Sequence, residues 1–172
     1  TRGVLSVAQI QGINSDLREK INQGINGILA KQKTNGAFGY WSRHDRIESE
    51  YVPFAVDTLI QSMPYANNPA EVQVAIDKAF TYLDRQYFDD AWTAMYTYGV
   101  LAQSGFEVKS RARYVLDEQL PRAIADETNG SHQIDLLVMG YWLAALIQDD
   151  KRTALIHAEL ESLVVIQKTS AI

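Results

Sequence analysis

A chain of 172 residues is long enough to bury a substantial core unaided, and with no cysteine it contains no disulfide, thiolate nucleophile, cysteine-ligated zinc or thioester. Sixteen basic and twenty-one acidic residues give a net charge of -5, and the basic residues are scattered, which argues against a nucleic-acid partner. No stretch approaches the roughly 18 apolar residues that span a bilayer, and Thr1-Arg-Gly-Val lacks a signal-peptide layout, so any export signal is expected to have been trimmed or never to have existed.

Seven segments carry apolar residues at helical spacing, and none of comparable length alternates as a strand would. Leu17, Ile21, Gly24, Ile25 and Ile28 line the first, which Asn14 or Ser15 can cap, with Asp16 and Glu19 favourably placed in its first turn. Val52, Val56, Leu59, Ile60 and Met63 line the second, ended by Pro64. Val72, Ile76, Ala79, Phe80 and Leu83 line the third, opened by Pro69, whose missing N–H is no loss there. Ala91, Ala94, Met95, Tyr98 and Leu101 form the fourth, closed at Ser104-Gly105. Ala112, Val115, Leu116 and Leu120 form a fifth that Pro121 is expected to interrupt. Two apolar faces, one through Leu137 and Tyr141 and one through Leu136 and Leu143, predict a sixth helix buried nearly all round. Ile156, Leu160, Leu163 and Val164 close the series. Short connections make successive helices antiparallel neighbours.

Two helix ends say the same thing 54 residues apart. Ile25 to Phe38 and Ala79 to Trp92 each end a helical pattern with a glutamine, Gln32 or Gln86, and place an aromatic six residues later. The expected role is a side-chain amide that ties down the next loop while the aromatic plugs the adjoining gap. Such a repeat points to stacked helical hairpins. A third copy opens at Leu163-Val-Val-Ile-Gln167-Lys-Thr-Ser, so the chain reads as a single partial domain, 1–172, cut from a larger protein.

The long connection from Thr34 to Ser49 is where function is expected, since scaffolds carry chemistry on loops. Asn35-Gly36 and Gly39 permit tight turns, and Phe38, Tyr40 and Trp41 are expected to cover the helix ends. His44, Asp45, Glu48 and Glu50 are polar but show no metal-ligand spacing, and Asp84, Asp89 and Asp90 form a helix-end cluster. Glu50 and Asp57 share a helix face without being placed across a sugar, and Asp57 is expected to lie buried among apolar neighbours. His132 suits a first helical turn, and His157 lies between charges on a surface-patterned helix.

The loop Gln32-Lys-Thr-Asn-Gly-Ala-Phe-Gly-Tyr-Trp41, followed by Glu50-Tyr-Val-Pro-Phe-Ala-Val-Asp-Thr-Leu-Ile60, resembles the thioester-domain region of bacterial alpha-2-macroglobulins. The match falls on Gln32, Gly36, Phe38, Gly39 and Trp41, with Ala37 where a second glycine is usual. Ala94 to Gly105, Arg113-Tyr-Val-Leu-Asp and Leu143 to Arg152 are similar to later segments of that region. The resemblance implies part of an α/α toroid inside a large periplasmic or envelope protein that traps proteases. The partners it implies are target proteases, met through the intact parent, and other domains of the same chain. Its Cys-x-Glu-Gln thioester motif is not here; Glu118-Gln119 follows Asp117 where a sulfur is required, and is expected to be helix surface.

Taken together, the reading is an all-α protein of about seven helices in antiparallel hairpins, forming part of an α/α toroid. It is expected to be a structural and inhibitory module and not an enzyme, with no cofactor and no metal. Its motif residues are Gln32, Gly36, Phe38, Gly39 and Trp41, with Gln86 and Trp92 as repeat equivalents. The competing reading is an α/α-barrel enzyme of terpene cyclase or polysaccharide-processing type. For that reading Asp84, Asp89 and Asp90 are too widely spaced to act as a cyclase acid.

Overall fold

The computed structural model describes residues 14–39 and 51–170. The protein is all-α, with no strand among the described residues beyond one isolated bridge between Gln32 and Phe38. The chain divides into two compact units, Thr1–Gln86 and Tyr87–Ile172.

The first unit contains α1 (Ser15–Leu29), α2 (Tyr51–Ser62), a 3-10 turn (Met63–Tyr65) and α3 (Pro69–Leu83). Asn14, not Ser15, caps α1, its Oδ1 accepting from Leu17 N at 2.9 Å. Asn68 caps α3, with Pro69 in the first turn as its lack of an N–H allows. Each helix packs on the other two. Ile21 and Ile25 of α1, Val52, Val56 and Leu59 of α2, and Val72, Ile76, Phe80 and Leu83 of α3 form the core. Each such side chain contributes about 1.5–3 kcal/mol by leaving water. Asn22, Thr58 and Ser62 are the buried polar groups among the described residues of this unit, and Asn22 donates Nδ2 to Arg18 O (2.8 Å) and Tyr65 O (3.0 Å) and accepts Asn67 N on Oδ1 (2.7 Å). Its amide is thereby satisfied, as burial requires.

The second unit contains α4 (Ala91–Gln103), α5 (Lys109–Tyr114), α6 (Leu120–Asp126), α7 (Gly130–Leu146) and α8 (Asp150–Ser170). Helices α5 and α6 run together through a π segment, Val115–Gln119. Counting them as one rod gives seven helices among the described residues. Pro121 therefore does not interrupt the fifth helix, as its ring alone suggests. The wider π register lets Leu120 N bond Val115 O, and Pro121 falls at the start of the next α-helical stretch, where its absent donor is tolerated.

Helix α7 packs against α4, α6 and α8. A side chain at Gly99 of α4 would strike the Trp142 ring, and one at Gly140 of α7 would strike Leu120, so small residues set both approaches. Contrary to the expectation from its two apolar faces, α7 is not buried all round. Leu137, Gly140, Leu143 and Ala144 are buried, while Val138 and Tyr141 are exposed at 50% and 37%. The exposed residues belong to the face through Leu137 and Tyr141, whereas Leu143 and Ile147 of the other face are buried.

An ion-pair hub closes the second unit's far end. Asp149, 7% exposed, accepts on Oδ2 from Arg113 Nε (2.9 Å) and Arg152 Nη1 (2.6 Å), and Arg152 forks its Nε and Nη2 onto Asp117. This joins α5, the π segment and the start of α8. Burial opposes ionisation of Asp149, but the bonds from Arg113 and Arg152 outweigh it, so its carboxyl titrates below the usual range. Asp117 is likewise lowered, chiefly by the Arg152 hydrogen bonds.

Candidate functional site

The sequence motif at Gln32 folds as a small hairpin seated on α3. Lys33 N donates to Ala37 O (2.8 Å), Gly39 N to Lys31 O (3.1 Å) and Gly36 N to Lys33 O (3.1 Å). Asn35 Oδ1 accepts from Ala37 N (3.2 Å), the local bond that favours asparagine in turns. Gly36 has φ +93°, and a Cβ there would fall on the Lys78 carbonyl, so both conformation and space require glycine. Gln32 spans the seat. Its Nε2 donates to Gly36 O (3.2 Å) across the hairpin and to Ala75 O (2.7 Å) on α3. Ala37 and Phe38, 0% and 3% exposed, complete the contact.

At the second copy the backbone repeats and the side chains do not. Asp84, Arg85 and Gln86 N bond Phe80, Tyr82 and Leu83 O, matching the bonds of Ala30, Lys31 and Gln32 one repeat earlier. Gln86, however, reaches only its own helix, Nε2 to Tyr82 O at 3.4 Å. Trp92 is half-buried in the first turn of α4, stacked on Tyr96 at 5.4 Å, and Tyr96 stacks in turn on Trp142 at 6.2 Å. The buried aromatic here is Phe88, which meets Tyr98 edge to face, and the amide holding its carbonyl is Gln119 Nε2 at 2.9 Å. Gln119 is thus a half-buried tie to the loop and not the helix surface expected of it.

No family model matches the chain, and no curated protein or solved structure is found similar to it. Assignment of chemistry therefore rests on the chain's own residues.

Trp41, with Tyr40, His44, Asp45, Glu48 and Glu50, lies outside the described residues, as do the side chains of Val164 and Gln167. Asp57 is only half-buried and accepts from Gln61 Nε2 at 2.8 Å, a helix-surface role in place of the buried one expected. Asp90 caps α4 by accepting Thr93 N at 2.7 Å, while Asp84 and Asp89 are exposed. His132 stands in the first turn of α7 with Nδ1 3.3 Å from Glu127 Oε2. Hydrogen bonds from Asn129 N and from His132 hold the Glu127 carboxyl below its usual range. His157 lies on exposed α8 beside the Tyr141 ring.

Two grooves mark the second unit. One of about 370 Å³, between α6 and α8, is floored by Leu116, Leu120, Ile124 and Ile156 and rimmed by Asp117 and Arg152. The other, about 400 Å³, is lined by Asp90, Trp92, Asp126, Glu127, His132 and Asp135. No group of three or more histidine, aspartate or glutamate side chains converges to hold a metal among the described residues. Among the same residues, no helix is long and apolar enough to cross a membrane.

Proposed function

We propose that this chain is a helical-hairpin module of a bacterial alpha-2-macroglobulin-like protease-trapping protein, serving a structural and inhibitory role and doing no catalysis itself. Its helices form part of an α/α toroid, its parent resides in the periplasm or cell envelope, and covalent capture belongs to residues outside these 172. The observation that carries this reading is the Gln32 hairpin. The residues of the resembling loop, Gln32, Gly36 and Phe38, are engaged in fixing backbone to backbone and filling a gap, and none is left free to act on a substrate. The partners are target proteases, reached through the parent, and that protein's other domains.

The test uses the intact parent with trypsin. Trapping predicts that trypsin keeps its activity on a small chromogenic amide while losing it on casein; equal loss or equal retention on both substrates would sink the reading. Methylamine incorporation then separates a thioester-bearing parent from one without.

The groove beside Trp92 supports a second reading, an α/α-barrel enzyme acting on polysaccharide, since an aromatic face and several carboxylates border one depression. Release of reducing sugar by the purified chain, abolished by Asp135→Asn, would favour it over the trap.

A further inference from the structure

The crease between α1 and the turn ahead of α3 is lined by four asparagines, two of whose side chains bond nothing among the described residues. Two adjoining depressions, about 380 Å³ and about 60 Å³, share Asn22, Asn26 and Asn67 in their walls. Asn22 is consumed by structure, and by accepting Asn67 N it fixes the backbone that presents the Asn67 side chain. Asn68 is likewise engaged in capping α3. Asn26 and Asn67 differ: both are exposed, and neither side-chain amide has a hydrogen-bond partner among the described residues. They face a common space with two donors and two acceptor lone pairs each.

The lining also says what does not fit. Arg18 and Glu19 offset each other and Glu71 adds one negative charge, so nothing in the lining recruits a phosphate or carboxylate. Among the described residues no aromatic ring borders either depression, so a sugar lacks a face there to stack on. A carboxamide, by contrast, offers the donor and acceptor pair that matches a peptide group. The smaller depression, walled by Ile25, Leu29 and Val72, has room for a methyl-sized side chain and little more.

We infer that this crease binds an extended, uncharged peptide segment through its main chain, with Asn26 and Asn67 bonding the peptide groups on either side of a small residue. The inference is independent of the protease-trap reading and survives its failure. Main-chain recognition by side-chain amides gives affinity with little sequence preference, and the narrow apolar depression adds a preference for alanine at one position.

The experiment is a titration of the ¹⁵N-labelled 172-residue chain with the blocked peptide Ac-Thr-Ser-Ala-Ser-Thr-NH2, followed by NMR. Saturable shifts of the Asn26 and Asn67 side-chain amide signals are expected, and Asn26→Ala and Asn67→Ala each weaken binding about three- to tenfold, the loss of one net hydrogen bond. Both side chains are exposed and bond nothing among the described residues, so each variant keeps its spectrum elsewhere. The same peptide N-methylated at the alanine and the following serine removes two N–H groups and is expected to bind at least tenfold more weakly. Equal binding of the methylated peptide, shifts confined to other surfaces, no saturation, or response of these amides to chitotriose and not to the peptide would each overturn the proposal.

Discussion

The ends of α1 and α3 share a backbone and differ in everything the backbone holds. Three successive N–H bonds repeat at 30–32 and 84–86, yet Gln32 reaches across to α3 while Gln86 stays on its own helix. The repeat thus encodes how a helix stops, because that depends on local hydrogen bonds alone. What the terminal amide does next depends on whether a carbonyl stands opposite. Ala75 O is there for Gln32, and in the second unit the loop carbonyl of Phe88 is held by Gln119.

Truncating the two aromatics is expected to separate the copies most. Phe38→Ala empties a site 3% exposed and should destabilise the first unit by about 3–4 kcal/mol. Trp92→Ala removes a half-buried ring stacked on Tyr96 of its own helix and should cost about 1–2 kcal/mol. Native-state hydrogen exchange, read in α3 for the first and α4 for the second, measures each unit by itself. Equal losses would mean the repeat extends to side-chain packing after all.

Next in size is the pair at Gly36 and Asp90, which occupy matching positions. Gly36→Ala places a Cβ on the Lys78 carbonyl at a left-handed φ, so about 2–4 kcal/mol should be lost. Asp90→Ala removes only the cap on Thr93 N, worth about 1 kcal/mol. Urea midpoints with unchanged slopes would check both. A mild Gly36→Ala effect would mean the hairpin can lift off α3.

A smaller split is expected at the glutamines themselves. Gln32→Ala leaves Ala75 O and Gly36 O without their donor, about 1–2 kcal/mol, whereas Gln86→Ala should change stability by less than about 0.5 kcal/mol. If Gln119→Ala then unsettles the loop at Phe88 as Gln32→Ala unsettles the first hairpin, seen as faster amide exchange at Phe88 and Asp89, the holding role has passed from one glutamine to another.

These contrasts also mark what could be read beforehand. The helices, a cap at Asn14 or Ser15, the opening of α3 at Pro69 and the glycine turn at Gly36 were legible because spacing and turn chemistry are local. The buried positions of α3 and α4 followed the 3.6-residue period, and Val72, Ile76, Phe80, Met95 and Leu101 all lie in the core. The partial burial of α7 was not legible, since apolar residues on two faces do not say which positions a neighbour covers. Gln119 was missed because its partner is 31 residues away in sequence, and Pro121 misled because a π register removes the clash that a proline ordinarily brings. At the candidate site, the seat was readable from Gln32, Gly36 and Phe38, but the free amides Asn26 and Asn67 were not. Only the folded crease brings them together.

A second pair of helix ends extends the comparison with a small effect. Helices α4 and α7 close by the same two bonds: Phe106 N to Leu101 O with Gly105 N to Ala102 O, and Asp149 N to Ala144 O with Gln148 N to Ala145 O. The closure puts one residue in the left-handed region, Gly105 at φ +84° in one case and Gln148 at φ 55° in the other. Glycine enters that region without a steric penalty and glutamine does not. The closure at Gln148 holds nonetheless because the next residue, Asp149, is clamped by Arg113 and Arg152. Gln148→Gly should therefore stabilise the second unit by about 0.5–1 kcal/mol, part of the steric relief being offset by the greater freedom of glycine when unfolded. The gain should appear as a higher urea midpoint with unchanged slope, and it should shrink in Asp149→Asn, where the clamp is weakened and Gln148 can leave the left-handed region by itself. A loss of stability in Gln148→Gly would mean that the glutamine side chain makes a contact worth more than the left-handed strain it carries.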